Sequence, residues 1–557
     1  MSKNAKVSVV IEDQKTNTFS LKIIFRDIYR NRKSIVVPRA LLTDRRRLIA
    51  ELNNHGAPLP PKRNIETFLQ YIRKSEKIAS HKYRAKDYGW QDDGSFVSFT
   101  RTLKPNKSNT RAKIAPLSPF ADHLVKNGKL RKWRNTVAQN AKYSSPMVFS
   151  ICAAFTAATL KISDLNTFGF MLVGPTKTGK SSIQLAAGSV IGFSEEKHLP
   201  NFRCTDAALE ELTASFNDHV LLINEGELIT GETSEQRAQK LRAFAYRLAE
   251  GQSKGFSKTI NRPRSFYRTI FIGSMENHSV LQQRLTQSNQ ISGSEARVFD
   301  ILAATEHSGD VFDRAPETLQ DGKRKKWADD KFKKLHDGVK ENCGVAYRPY
   351  VTYLIKYPNA SRRFLRRATD RFFKKIASTS NDAGIRQIAK YAANIVAAGL
   401  LARKLKILPW SRKLIEGSAK RCFNRAIKLL PTERAIFRQV LKDLIAEFTC
   451  GTLVKHSNKN NSNTALDLAK GYYTGSGKHR VVTIRGQAFI DLIGSNDLAF
   501  RLLQKWDKLG LIKSKNRNAK TCQSLKDFEF QDTWPNGKRP RSIQILWNIK
   551  KIRKALR

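Results

Sequence analysis

The chain has 557 residues, with 101 Lys+Arg against 48 Asp+Glu, a formal charge of +53. Its 40% apolar and 9% aromatic residues are enough for true cores, which excludes a wholly disordered basic chain, and the length suits about three or four domains. A surplus of this size self-repels unless a polyanion is near, so nucleic acid is the leading partner and an anionic membrane surface the second.

The six cysteines, Cys152, Cys204, Cys343, Cys422, Cys450 and Cys522, form no CxxC pair and have no histidine pair at zinc-ligand spacing. Scattered thiols fit a reducing compartment. The opening MSKNAKVSVVIEDQK lacks the apolar core of a signal peptide. Tyr143–Leu160 is 18 residues without a charge, but its serines and threonines, and a proline at 146 suited to a helix start, mark a buried helix rather than a membrane span. The expectation is a soluble cytoplasmic protein with no membrane partner.

In chain order, Phe19–Phe25 and Lys33–Pro38 read as strands and Arg39–Asn54 and Ile65–Lys77 as helices. Tyr88–Gln91 and Ser95–Thr100 read as a hairpin around Asp93-Gly94. The basic Arg101–Lys113 reads as an exposed loop. A helix-rich stretch from Lys129 to Leu160 leads to the apolar strand Phe168–Val173, after which strands and helices alternate to about Ala304, the pattern of a parallel sheet. Asp321–Leu430 reads as almost continuous helix, most periodic at Ile385–Leu405. Pro431 marks a further helix start. Near the end, a helix at Asp497–Leu509 stopped by Gly510, a short strand Leu511–Lys513 and a basic turn Ser514–Lys520 suggest a winged helix. The expected architecture is α/β: a basic α+β domain over 1–128, a P-loop ATPase core with a parallel sheet over 129–320, a helical lid over 321–430 and a winged-helix-like basic domain over 431–557.

The most specific motif is Gly174-Pro175-Thr176-Lys177-Thr178-Gly179-Lys180-Ser181, a full G-x-x-x-x-G-K-[ST] match between an apolar strand and the helical run that begins at Ser182. Its glycines let backbone N–H groups curl toward phosphate oxygens, and the following helix adds its positive end. Lys180 would reach the β and γ phosphates of ATP, and the Ser181 hydroxyl would ligate Mg²⁺. Such a site needs an acidic partner on a neighbouring strand. Forty-five residues after Lys180 stands His219-Val-Leu-Leu-Ile-Asn224-Glu225, an apolar run with a Walker-B-like polar end. Glu225 is the candidate to deprotonate water. Asn224 occupies the usual metal-aspartate position and removes one negative charge there, which Glu227 is near enough in sequence to restore. Thr269–Asn277 is a further apolar strand with a polar end, at which Ser274 or Asn277 can sense the γ-phosphate.

The order of these motifs resembles the domain-of-unknown-function-927 family, helicase-like ATPases of phages and integrated mobile elements related to the AAA+ and replicative-helicase class. The resemblance runs through Tyr88-Gly89-Trp90, Trp133–Val137, Ala153-Ala154-Phe155, GPTKTGKSS, Thr205–Glu210, Asn217-Asp218 and LLINE. It continues through Tyr246–Lys254, Gly273–Glu276, Ser294–Ile301 and Ile385–Trp410. It implies that Arg297 is an arginine finger reaching a neighbouring subunit's nucleotide, that Arg386 is a second sensor on the lid, and that the chain forms a homo-oligomeric ring. Two positions depart from the family pattern: Asn224-Glu225 replaces Asp-Glu, which bears on hydrolysis rate, and Glu250-Gly251 replaces Asn-Gly.

Between the Walker-B-like and sensor strands lies a basic segment. In related ring helicases a hairpin at this place points into the central channel, so Lys254, Lys258, Arg262 and Arg264 become candidate DNA contacts, with Phe256 a stacking side chain. In the C-terminal region Lys513, Lys515, Arg517 and Lys520 would lie on the wing. The combined reading is an ATP- and Mg²⁺-dependent DNA motor, a ring-forming replicative helicase of a phage or mobile element. The alternative is an ATP-switched initiator or loader that binds DNA and hydrolyses little.

Overall fold

The computed structural model describes residues 5–58, 61, 64–105, 113–116, 118, 120–229, 234–253, 266–276, 297–304, 309–317, 319, 321–377, 383–429, 453–456, 469–475, 480–493, 496–513, 528–529, 531 and 539–547. The chain divides into two compact units, residues 1–277 with 294–426, and residues 278–293 with 427–557.

The first unit opens on β1 (Ala5–Asp13), β2 (Thr18–Arg26) and β3 (Arg32–Pro38). The expected single helix over 39–54 is instead a short 3-10 turn, Arg39–Leu42, followed by α1 (Arg45–Asn54). Asp44 causes the break, because its carboxylate accepts the Arg47 N–H and so starts a new helix. Next come α2 (Ile65–Lys77), β4 (Ser80–Arg84), β5 (Gly89–Trp90), β6 (Phe96–Val97), β7 (Thr102–Leu103) and β8 (Lys113–Ile114). The larger sheet has the order β3-β2-β1-β4-β8, the smaller β5-β6-β7. The loop read at 101–113 therefore has both ends in strands. Alternation explains the first sheet: Leu21, Ile23, Phe25, Ile35 and Val37 are buried with α1 and α2, while the residues between them face outward.

The chain continues through α3 (Leu130–Trp133), a π-helical turn Arg134–Ala138, α4 (Gln139–Ala141) and α5 (Ser145–Ala157). Every residue of α5 is buried, Pro146 sits in its first turn, and the Ser144 hydroxyl caps it. Among the described residues no helix is long and apolar enough to cross a membrane.

A parallel sheet follows. Its elements are β9 (Phe168–Val173), α6 (Lys180–Gly188), α7 (Asp206–Ser215), β10 (Val220–Ile223), α8 (Ser234–Glu250), β11 (Ile270–Met275) and β12 (Val298–Leu302). The order is β10-β11-β9-β12, all parallel. β9, β10 and β11 are buried along their whole length, as strands covered on both faces must be.

The near-continuous helix read after residue 321 is a set of helices: α9 (Asp321–Glu341), α10 (Tyr347–Lys356), α11 (Pro358–Ala377), α12 (Ala383–Lys404) and α13 (Arg412–Leu429). Pro358 and Pro409 fall at breaks, where a missing N–H cannot continue the ladder. α12 packs on α5 and α11.

The second unit contains β13 (Leu453–Lys455), β14 (Gly471–Thr474), β15 (Arg480–Arg485), α14 (Gly486–Ile493), α15 (Asn496–Lys508) and β16 (Ser542–Trp547). The sheet order is β13-β14-β15-β16, and Phe489, Leu502, Leu503 and Trp506 pack against Val482, Ile484, Ile543 and Ile545. In place of the strand expected at 511–513 there is one antiparallel bridge, Ile512 to Ile545, with the Lys513 N–H donating to the Gln544 carbonyl at 3.1 Å. The partner segment is thus β16, far along the chain. The basic turn at 514–520 and the helix start read at Pro431 lie outside the described residues.

Candidate nucleotide-binding site

The three strands that end beside the phosphate-type loop share one register. Val173 of β9 pairs with Met275 of β11, and Gly273 of β11 pairs with Ile223 of β10. Everything that follows Val173, Gly273 and Ile223 therefore emerges at the carboxyl edge of the sheet, where open α/β sheets bind ligands.

The loop from Gly174 to Gly179 runs from β9 into α6, with Pro175, Thr176 and Lys177 exposed and Thr178 buried. Its shape is held from within: the Thr178 hydroxyl donates to the Pro175 carbonyl at 2.9 Å, and Lys180 Nζ donates to the carbonyls of Gly174 at 2.5 Å and Pro175 at 2.8 Å. It is also held from behind, since the Val311 N–H donates to the Thr178 carbonyl at 3.2 Å. Gly179 has φ +101°, and a Cβ there would lie 2.6 Å from Cζ of Phe332 on α9. Only glycine fits this backbone and this gap. Sequence reading explained the glycine by the phosphate alone and missed the α9 contact, for which it carries no signal.

One sequence expectation needs correction. β10 is not the neighbour of β9, because β11 lies between them. The gap is closed by polar side chains at the strand ends. Asn224 Nδ2 donates to Ser181 Oγ at 3.3 Å, Ser274 Oγ donates to Asn224 Oδ1, and the Glu225 N–H donates to Ser274 Oγ at 3.1 Å. A continuous chain thus runs from the start of α6 through β10 to β11, joining residues 43 and 50 positions apart. Gln184 of α6 reinforces it, donating to the carbonyls of Ile223 and Ile272, both at 3.0 Å. Glu225 is exposed and has φ +54°, a left-handed conformation costing a non-glycine residue roughly 1–3 kcal/mol. Asn277 lies outside the described residues.

Ser182, the next residue of α6, faces a cluster that sequence reading did not foresee. Its hydroxyl lies 3.1 Å from Glu196 Oε1 and 2.9 Å from His336 Nε2, and His336 Nε2 is 3.2 Å from the same carboxylate oxygen. Burial pushes the Glu196 pKa up, but the bonds from His336 and Ser182 outweigh it and hold the carboxyl below its usual range.

Arg297 and Arg386 stand elsewhere. β12 begins beside the start of β9, Val298 pairing with Gly169, so Arg297 lies at the amino edge of the sheet, about 15 Å of strand away from the loop. It donates to the Ala249 carbonyl, and with Gln387 it hydrogen-bonds the Tyr391 side chain. Tyr391 stacks on Phe168, the first residue of β9, at 4.2 Å. Arg386, five residues before Tyr391 on α12, lies 5.4 Å from the Phe373 ring centroid. Neither arginine is brought to the loop of its own chain. Lys254, Lys258, Arg262, Arg264, Phe256, Lys515, Arg517 and Lys520 lie outside the described residues; Lys513 is exposed beside β16.

Tyr88-Gly89-Trp90 interlocks with Asn217-Asp218 just before β10. Asn217 Nδ2 donates to the Tyr88 carbonyl at 2.8 Å and the Trp90 N–H donates to Asp218 at 2.9 Å. Gly89 has φ +81°, and a Cβ there would meet Asp218 Oδ2 at 2.5 Å. The adjoining His219 is buried among Tyr88, Phe96, Phe99 and Tyr347, and this burial depresses its pKa to about 4. The unfolded chain takes up a proton near pH 6.5 that the folded one resists, so stability is full above pH 6.5 and falls as the pH drops toward 4. Denaturant melts should lose about 3 kcal/mol across that window. His219→Gln, which keeps an N–H for the Asn217 carbonyl, should flatten the profile.

No curated protein matches the sequence. The fold is similar to that of a solved structure described as "SCCmec type IV Cch - active helicase", with a TM-score of 0.64 at 16% identity over 99% of this chain and 94% of that one. A structure described as "The A form apo structure of NrS-1 C terminal region-CTR" aligns over 76% of this chain and 91% of that one at 13% identity, with a TM-score of only 0.28. Residues 2–266, which span the interlocked Tyr88-Gly89-Trp90 turn, the phosphate-type loop and the end of β10, match the model described as "Domain of unknown function (DUF927)".

Proposed function

We propose that the chain is an ATP-dependent DNA motor with an AAA+-like P-loop core, working as a ring-forming replicative helicase of a phage or mobile element. The observation that carries this reading is the hydrogen-bonded chain Ser181–Asn224–Ser274 with Glu225 beside it, at the carboxyl edge of a parallel sheet and next to a strand–loop–helix of phosphate-binding sequence. Residues 174–182 bind the nucleotide, and Lys180 exchanges its bonds to the loop's own carbonyls for the β and γ phosphates. Glu225 takes the proton of the attacking water, and Ser274 orients it through Asn224.

The donor set suits Mg²⁺ held largely by phosphates and water: Ser181 offers a neutral hydroxyl oxygen, and Asn224, whose Nδ2 faces Ser181 and whose Oδ1 accepts from Ser274, would offer its oxygen on turning its amide over. When bound, the ion would offset phosphate charge. The proposed division of labour is that of residues 1–128, 129–320, 321–430 and 431–557, with a winged-helix-like last part. Lys254, Lys258, Arg262 and Arg264 would grip the translocated strand, and Lys513, Lys515, Arg517 and Lys520 would hold duplex.

Asn224 favours one second reading, an ATP-switched initiator, because an amide weakens metal binding by a full charge. Steady-state ATPase assays with and without single-stranded DNA test both. Turnover stimulated by DNA supports the motor, and tight nucleotide binding without turnover replaces it with the switch. Under the motor reading, Asn224→Asp is expected to lower the Mg²⁺ concentration for half-maximal turnover by about tenfold, the equivalent of about 1.4 kcal/mol. An unchanged Mg²⁺ dependence would remove Asn224 from the metal's surroundings.

A further inference from the structure

The β2–β3 hairpin ends in a five-residue turn, Asp27 to Asn31, that holds two large apolar side chains in solvent. Ile28 is 64% exposed and Tyr29 78% exposed. The turn itself is firmly built. The buried Asp27 carboxylate accepts the N–H groups of Tyr29 at 3.0 Å and Asn31 at 2.8 Å, and its Oδ2 lies 3.2 Å from Lys33 Nζ. The Asp27 N–H donates to the Asn31 carbonyl, the Arg30 N–H to the Asp27 carbonyl, and the Ile28 N–H to the Gly56 carbonyl, at 2.8–3.0 Å. Burial of the aspartate thus fixes the tip, so ordering it against a ligand costs little further entropy.

Cations surround the tip. Arg26, Arg30, Arg32 and Lys33 are all exposed. Register extends the charge along the sheet: Arg26 pairs with Arg32, Ile24 with Ser34 and Lys6, and Lys22 with Val36, all on the face opposite the buried Leu21, Ile23 and Phe25. The face therefore carries a track of Lys6, Lys22, Arg26 and Arg32 leading to an exposed aromatic ring.

We propose that this hairpin is a single-stranded nucleic-acid site, with Tyr29 stacking on an unpaired base and Arg26, Arg30 and Arg32 contacting the flanking phosphates. A backbone-tracking line of cations beside an aromatic platform is the chemistry that binds unpaired strands without sequence preference. A duplex keeps its base faces inside the stack and leaves Tyr29 nothing to stack on. A membrane surface calls for a broader apolar face than two side chains. The inference rests on the DNA-binding part of the proposed function and adds a site distant in sequence from the cations assigned there.

The test uses the full chain without nucleotide, with anisotropy of a labelled oligothymidylate of about 20 nucleotides, a duplex of equal length, and vesicles of phosphatidylserine and phosphatidylcholine. Tyr29→Ala should weaken single-strand binding about fivefold or more, Tyr29→Phe should retain it, and duplex binding should change less than twofold. Arg26→Glu/Arg30→Glu/Arg32→Glu should weaken single-strand binding further and lower its log–log salt slope by about 2. Unchanged thermal midpoints would show that the variants are folded. Binding of both variants at the wild-type level overturns this site alone, as does an equal loss on duplex or a loss confined to vesicles. A wild-type chain that ignores the oligonucleotide overturns both this site and the DNA-binding reading.

Discussion

Lys180→Ala is expected to reduce ATP turnover by roughly a hundredfold or more, the cost of removing one positioned charge from a phosphoryl-transfer site. The lysine sits in the first turn of α6, with its ammonium on the carbonyls of Gly174 and Pro175. The loop is also held by Thr178 and, from behind, by Val311 and Phe332. Removing the ammonium should therefore leave the loop standing and abolish chiefly its affinity for phosphate. Glu225→Gln provides the contrasting phenotype: nucleotide binding preserved and turnover lowered about 10²–10⁴-fold, as for loss of a general base. Binding of a fluorescent ATP analogue, read beside phosphate release, separates the two. Retained turnover in Lys180→Ala would remove the phosphate-loop reading altogether, whereas retained turnover in Glu225→Gln would remove only the base.

Arg297→Ala is expected to lower turnover by about a thousandfold while nucleotide binding persists. The reason is positional. Arg297 precedes β12, and Val298 pairs with Gly169 at the start of β9, so the guanidinium lies at the opposite end of the strands from the loop that follows Val173. No side chain spans that distance, so any action of Arg297 on a phosphate is on a neighbour's. Two mixing experiments follow. Arg297→Ala subunits added to wild type should depress the rate more than in proportion to their fraction. Arg297→Ala mixed with Lys180→Ala, both inactive alone, should recover activity at interfaces that unite an intact loop with an intact arginine. Arg297→Lys keeps the charge but not the two-pronged donor, and should recover little. Full activity in Arg297→Ala, with no effect on wild-type subunits, would end the finger assignment. Arg386 lies toward the same end of the sheet, on the helix of Tyr391, and the same mixtures assign or exclude it.

Much of the core was legible because local rules are strict there. An apolar run such as Phe168–Val173 has to be buried, and a glycine-rich turn before a helix has one common use. The uncharged stretch around α5 was readable as a buried helix from its proline and hydroxyl residues. Reading was weaker where polarity hid periodicity. β1 passed unnoticed behind a basic opening, and the helix over 39–54 was read through Asp44, although a carboxylate there can start a helix of its own.

Residue identity and short spacing were enough for the phosphate-type loop, the Asn224-Glu225 departure and the cationic surplus. What those residues meet came from long-range packing. It set β11 between β9 and β10 and closed the gap through Ser274; it packed Phe332 behind Gly179; and it put Arg297 at the far end of the strands. Strand order and helix packing rest on contacts between residues 43 to 153 positions apart, which no local pattern encodes. The +53 charge likewise named a kind of partner, and only the register of β2 on β3 aligned some of those cations beside an exposed tyrosine.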